Sequence, residues 1–233
     1  EPMADKFPLV VHATHEAGVK LGGIGAVLDG LLGAKNYNEA VERTLLVGPM
    51  MANDSVVMER INSPRSGLTI RYSSLHGIFA NVAEELRAAL QQIEQTFQVA
   101  ILYGTRKFGG YTHEVLLVDV SNPNPQQVDS FKFHVWQNYG IECQRYSWNP
   151  EFNLYFAIAQ PLFAAMKALG VDSDLAPNEK LIIAHEWLGM PVVFAAQMTE
   201  PSQWRTIFYA HETVTARALI EFDGGHDTRF YNT

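Results

Sequence analysis

The chain has 233 residues, 47% of them hydrophobic and 18% charged, with a formal net charge of −8. That length can bury a sizeable core, and the acidic balance argues against a nucleic-acid partner, because phosphate backbones attract basic surfaces. Its one cysteine, Cys143, forbids an internal disulfide and points to a cytoplasmic compartment, while the absence of any apolar run of roughly 18 residues excludes an obvious membrane-spanning helix.

The opening residues, EPMADKFP, carry no signal-peptide core. Strand-like apolar runs follow at residues 9–13, 44–48, 68–73, 99–103, 115–120, 181–184 and 206–210. Most are apolar on both faces, the pattern of strands covered by helices on each side. Helix patterns lie between them. Residues 24–32 are amphipathic. In residues 80–97, Val82, Leu86, Leu90, Ile93 and Phe97 recur at steps of three and four. Residues 151–169 read as a central packed helix, with a kink or break expected at Pro161. Residues 191–198 and 213–222 are shorter candidates, and Pro191 suits a first helical turn. Arg106, Lys107, Gly109 and Gly110 suggest a hairpin, residues 122–125 a turn, and the aromatics of residues 131–148 a part of the core. This alternation predicts one α/β domain over 1–233, Rossmann-like, with a mainly parallel sheet flanked by helices. Ligands in such sheets sit at the carboxyl ends of the strands.

Three segments carry candidate chemistry. In HATHEAGVKLGGIGAVLDGLL, a strand leads to the pair Gly22–Gly23 and then a helix. Glycines there let backbone N–H groups approach an anion, the helix end adds about half a positive charge, and Lys20 supplies a full one. The plain alternative is a tight turn with a solvated lysine. In AHEW, His185, Glu186 and Trp187 follow an apolar run and are expected at a strand's carboxyl end. No metal is indicated, since the position four after His185 is Gly189. In TIFYAHETVTAR, another strand ends at His211. Thr213 can cap the next helix, and Arg217 lies one turn on. A histidine and an arginine at a helix start suit a sugar phosphate. His12, His15, His76, His113, His134 and His226 show no ligand spacing and read as core or surface. Cys143 has no activating neighbour in sequence.

Taken in order, these segments resemble the glycogen and starch synthases, retaining glucosyltransferases of the two-domain GT-B fold. EAGVKLGGIGAVL is similar to that family's E-x-x-x-[KR]-x-G-G-[IL] loop, IIAHEWLGMPV to its H-[DE]-W element, and TIFYAHETVTARALIE to its T-I-F-T-T-H-A-T-x-x-x-R segment. TLLVGP and VAILYGTRKFGGYTHEVLLVDV resemble intervening strands. The resemblance implies the N-terminal, acceptor-side half of a GT-B fold, with the nucleotide-binding domain absent and the first domain not yet closed at Thr233. It implies transfer of glucose from UDP-glucose or ADP-glucose to the non-reducing end of an α-1,4-glucan, without cofactor or metal. Lys20, Gly22 and Gly23 would cover the donor diphosphate, and His211 would touch the glucose at its reacting carbon. Arg217 would help hold the donor phosphates, Thr213 counts among the substrate-binding residues, and His185, Glu186 and Trp187 would line the cleft. Partners would be the donor and the glucan, with no nucleic acid or membrane; a homo-oligomer is open for the full-length enzyme. Ala26 and Glu212 depart from the family's pattern. The alternatives are a GT-B enzyme with a small acceptor, of the sucrose or trehalose synthase type, and a non-catalytic carbohydrate-binding module. A dinucleotide site is disfavoured because the G-x-G-x-x-G fingerprint is incomplete.

Overall fold

Phe7–Ala13 (β1) places apolar side chains on both faces and is buried from Leu9 onward, so it needs cover on both sides. It is an interior strand of a seven-stranded sheet. The structure, a computed structural model, describes residues 6–79 and 81–212. The other strands are Val41–Pro49 (β2), Leu68–Ser73 (β3), Ala100–Phe108 (β4), Tyr111–Asp119 (β5), Lys180–His185 (β6) and Arg205–Tyr209 (β7). Their order is β3-β4-β5-β2-β1-β6-β7. From β5 to β7 all neighbours are parallel, and β4 is antiparallel to both β3 and β5. The predicted hairpin is the β4–β5 turn at Gly109–Gly110, where Gly109 has φ +58, a conformation glycine adopts without strain.

Each face of the sheet carries its own helices. Gly23–Leu32 (α1), Lys35–Ala40 (α2) and Ser55–Asn62 (α3) lie on one side. There Leu28, Leu32, Val57 and Ile61 pack with Leu46, Leu102 and Leu117. Glu84–Phe97 (α4), Pro125–Tyr139 (α5), Pro150–Ala168 (α6) and Glu186–Thr199 (α7) lie on the other. Their Leu90, Phe131, Phe156, Leu162 and Val192 join Leu9, Val11, Leu45 and Val118 in the larger core. Each fully buried Leu, Val or Phe contributes about 1.5–3 kcal/mol. The chain is thus α/β, with a mostly parallel mixed sheet flanked by helices, as its alternating pattern predicts.

Four local expectations are corrected. α6 continues through Pro161 without a break, because ten of its residues are buried and that packing outweighs one lost backbone bond. α7 begins at Glu186, so Pro191 lies inside the helix and not in its first turn. The aromatics after Phe131 are not core: Phe133, Trp136, Tyr139 and Tyr146 are exposed, and Trp148 is 77% exposed. Helices α2, α3 and α5 were not anticipated. Asp54 caps α3 by accepting from Val56 and Val57 N–H at 2.9 and 3.0 Å, and Asn124 caps α5 in the stretch read as a turn.

Charged clusters that tie elements together sit toward the amino ends of the strands. Arg43 donates to both oxygens of Glu114 at 2.6 and 3.0 Å. Asp172 accepts from Lys167 and Lys180 at 2.7 and 2.9 Å. No helix among the described residues is long and apolar enough to cross a membrane.

Candidate functional site

The carboxyl ends of β1, β6 and β7 meet at one rim. Strand register dictates which side chains face one another there. His12 pairs in register with Ile183. His185, two residues past Ile183, therefore shares the face of His12. Thr44 of β2 pairs with Val10, two before His12, and lies on that face too. Tyr37 of α2 closes over them.

The result is an unbroken chain of side-chain hydrogen bonds. Thr44 Oγ1 lies 2.9 Å from Tyr37 Oη, and Tyr37 Oη lies 3.0 Å from His12 Nε2. His12 Nδ1 is 2.9 Å from His185 Nε2, and His185 Nδ1 is 2.8 Å from His211 Nε2. His12 and His185 are buried. Burial, reinforced by each neighbouring imidazole, lowers His12 to about 3 and His185 to about 4. Burial also lowers His211, against the raising influence of Glu186 and Glu16. The imidazoles are thus neutral at pH 7, and each shares one proton along the chain. All donors must then point one way. Either Tyr37 donates inward and His211 Nε2 accepts, or His211 Nε2 donates and the order reverses to Thr44.

Two carboxylates fix the loops around this chain. Glu16, 1% exposed, accepts through Oε2 from Leu21 N–H at 2.5 Å and Gly22 N–H at 2.7 Å. Glu186, 6% exposed, accepts through Oε1 from the backbone N–H groups of His211 and Glu212, the latter at 2.9 Å. Glu186 itself has φ +60, a left-handed conformation that a non-glycine residue holds only where surrounding bonds enforce it. Glu16 thus holds the glycine loop, and its charge acts to raise His211.

The glycine loop works differently from its sequence-based reading. The N–H of Gly22 and that of Leu21 face Glu16, not solvent. A Cβ at Gly23 would meet nothing within 4 Å, whereas one at Gly25 would lie 2.2 Å from Glu16 Oε2. Gly25 is thus the glycine the loop requires, and Gly23 opens on free space at the first turn of α1, whose first N–H groups have no partner within the helix. Gly189 has a similar reason: a Cβ there would lie 2.4 Å from Ala13 O. A histidine at that position cannot fit.

The remaining predicted residues are placed as follows. Lys20 is half exposed and pairs with Asp29 at 3.2 Å, on the side of α1 shared with Arg106. Trp187 packs against Phe152 and Tyr155 of α6. Thr213 and Arg217, and the helix expected over 213–222, lie outside the described residues. His185 and His211 are brought together, and Glu186 is spent on backbone amides. Sequence reasoning left His12, Tyr37 and Glu16 out of the site, and filed His15 with the core or surface. His15 Nδ1 is buried and without a partner among the described residues. A usable signal existed for His12: a histidine near the end of a strand-like run, as at His185 and His211. Among the described residues no group of three His, Cys, Asp or Glu side chains converges on a metal position. The Cys143 thiol is buried and pushed up by that burial, which suppresses the thiolate.

A comparison with protein-family models finds no match, and no curated protein matches the chain.

Proposed function

We propose that this chain is the acceptor-side domain of a retaining glucosyltransferase resembling the glycogen and starch synthases, using a nucleoside diphosphate glucose and an α-1,4-glucan. One observation supports the reading: His185 at the end of β6 and His211, two residues past β7, are hydrogen-bonded at the carboxyl rim of the parallel strands, the rim from which the loop between β1 and α1, held by Glu16, also leaves the sheet. This is the rim at which parallel α/β sheets bind ligands.

The chemistry suits the residues. Cleavage of a glucosyl–phosphate bond builds positive charge on the sugar and negative charge on the leaving diphosphate. At the start of α1 the Glu16 carboxylate already occupies the Gly22 and Gly25 side, and only the Gly23 side is open to offer backbone donors to the latter. His211, kept neutral by burial, offers a hydrogen bond to a sugar hydroxyl without placing a like charge beside the electron-poor carbon. His185 and His12 orient its ring, and Glu186 fixes its backbone. No side chain is assigned as nucleophile.

The test is glucan-dependent release of UDP or ADP by the natural full-length protein. Turnover with either donor, reduced at least a hundredfold in His211→Ala, is expected. Residues 1–233 alone should turn over neither. Equal turnover with sucrose-forming or trehalose-forming acceptors would replace the glucan reading, and no turnover with any acceptor would refute the proposal.

A further inference from the structure

A second concave surface lies away from the histidines. It is a groove of about 630 Å³ between α1, α3 and the β4–β5 turn. Five cationic side chains line it: Lys20, Arg60, Arg65, Arg106 and Lys107. Only two carboxylates, Asp29 and Glu59, oppose them. A cationic surplus is notable on a chain of net charge −8.

Arg106 is the anchor of this surface. It is 5% exposed. Its Nη1 donates to the carbonyls of Glu16 and Ala17 at 3.1 and 3.2 Å, and its Nη2 to Asp29 at 3.5 Å. Its Nε is buried and has no partner among the described residues. A buried charged donor left unpaired is costly and rare in folded proteins. The three cations at the rim, Arg60, Arg65 and Lys107, are exposed and form no ion pair among the described residues.

We propose that this groove binds a soluble, phosphate-bearing small molecule. Several cations on different walls fit a ligand with many oxygens and more than one charge better than a single carboxylate. The arginine forks match phosphate oxygens in pairs. The groove shares Lys20 with the residues expected at the donor diphosphate, but Arg60, Arg65, Arg106 and Lys107 belong to none of that site.

The test is titration of the chain with inorganic pyrophosphate at low ionic strength, followed by calorimetry and phosphorus NMR. Saturable binding at one site is expected. The double variant Arg60→Ala/Arg65→Ala, altered only at exposed side chains, should weaken it about tenfold or more. Lys35→Ala, an exposed cation that pairs with Glu39 and does not line the groove, and His211→Ala should leave it unchanged. No saturable binding, or equal weakening by Lys35→Ala, would overturn the proposal. Loss of binding in His211→Ala with retention in the double variant would also overturn it, by assigning the probe to the histidine rim. Binding only to phosphatidylcholine vesicles containing phosphatidic acid, and not to free pyrophosphate, would overturn the claim of a soluble ligand.

Discussion

Acidification should destabilise this fold earlier than its carboxylates alone require. The perturbation is a fall from pH 7.5 to pH 5. In the unfolded chain His12 and His185 titrate near 6.5, whereas in the folded protein they titrate at about 3 and about 4. Both folded values lie below the unfolded value, so protonation favours unfolding. The stability they contribute is whole above about pH 7 and is lost as pH falls from 6.5 toward 4. At pH 5 each imidazole accounts for about 2 kcal/mol, from 1.5 units at about 1.36 kcal/mol each. The pair gives at most about 4 kcal/mol, since part of the lowering of His12 comes from His185 itself. Below pH 5.5 the slope approaches two protons, or about 2.7 kcal/mol per pH unit. His15, His113 and His211, also lowered chiefly by burial, act in the same direction. Urea unfolding at half-unit pH steps measures the slope. His12→Gln, which cannot titrate, should reduce it by about one proton whatever it does to stability at pH 7.5. A flat curve from pH 7.5 to 5, or an unchanged slope in His12→Gln, would refute the reasoning.

Other substitutions probe other parts of the same account. Gly25→Ala should drive a methyl into Glu16 Oε2, costing about 1–3 kcal/mol by overpacking and lowering affinity for the nucleoside diphosphate glucose that the proposed function requires; denaturation and titration with that ligand check both. Glu186→Ala should free the amides of His211 and Glu212, seen as faster hydrogen exchange at those two positions while the core amides stay protected. Asp172→Ala should cost about 1–3 kcal/mol by leaving the buried Lys180 ammonium only the more distant Glu200 carboxylate, at 3.8 Å, with no change in the histidine resonances. Tyr37→Phe should bias the proton order of the histidine chain by removing one of its hydroxyls, read as a shift in the nitrogen resonances of His211. Identical His211 nitrogen shifts in the variant would mean the side chains do not act as one chain.

Much of the architecture was legible because parallel strands covered on both faces are apolar throughout. All seven strand-like runs became strands, with ends displaced by a few residues where register and not apolar character sets the limit. α1 and α4 were legible from their apolar spacing, and α6 from a long, strongly apolar run. α2 has no buried residue and so leaves no stripe to read. α5 buries only part of one side and exposes Phe133 and Trp136, which local composition cannot distinguish from core. His185 and His211 were legible as strand-end histidines. Glu16 was not, because its partners are backbone amides, which no side-chain pattern records. The same holds for Gly25, whose requirement comes from a carboxylate nine residues earlier.

Glu16 and Glu186 grip their loops by main-chain groups alone. Any residue but proline at positions 21, 22, 211 or 212 still supplies the N–H that is held. The rim's shape is therefore largely decoupled from the identity of the side chains it displays. Such a scaffold can exchange its recognition residues and try new ligands without renegotiating its backbone, provided both carboxylates and the room that Gly25 leaves are kept.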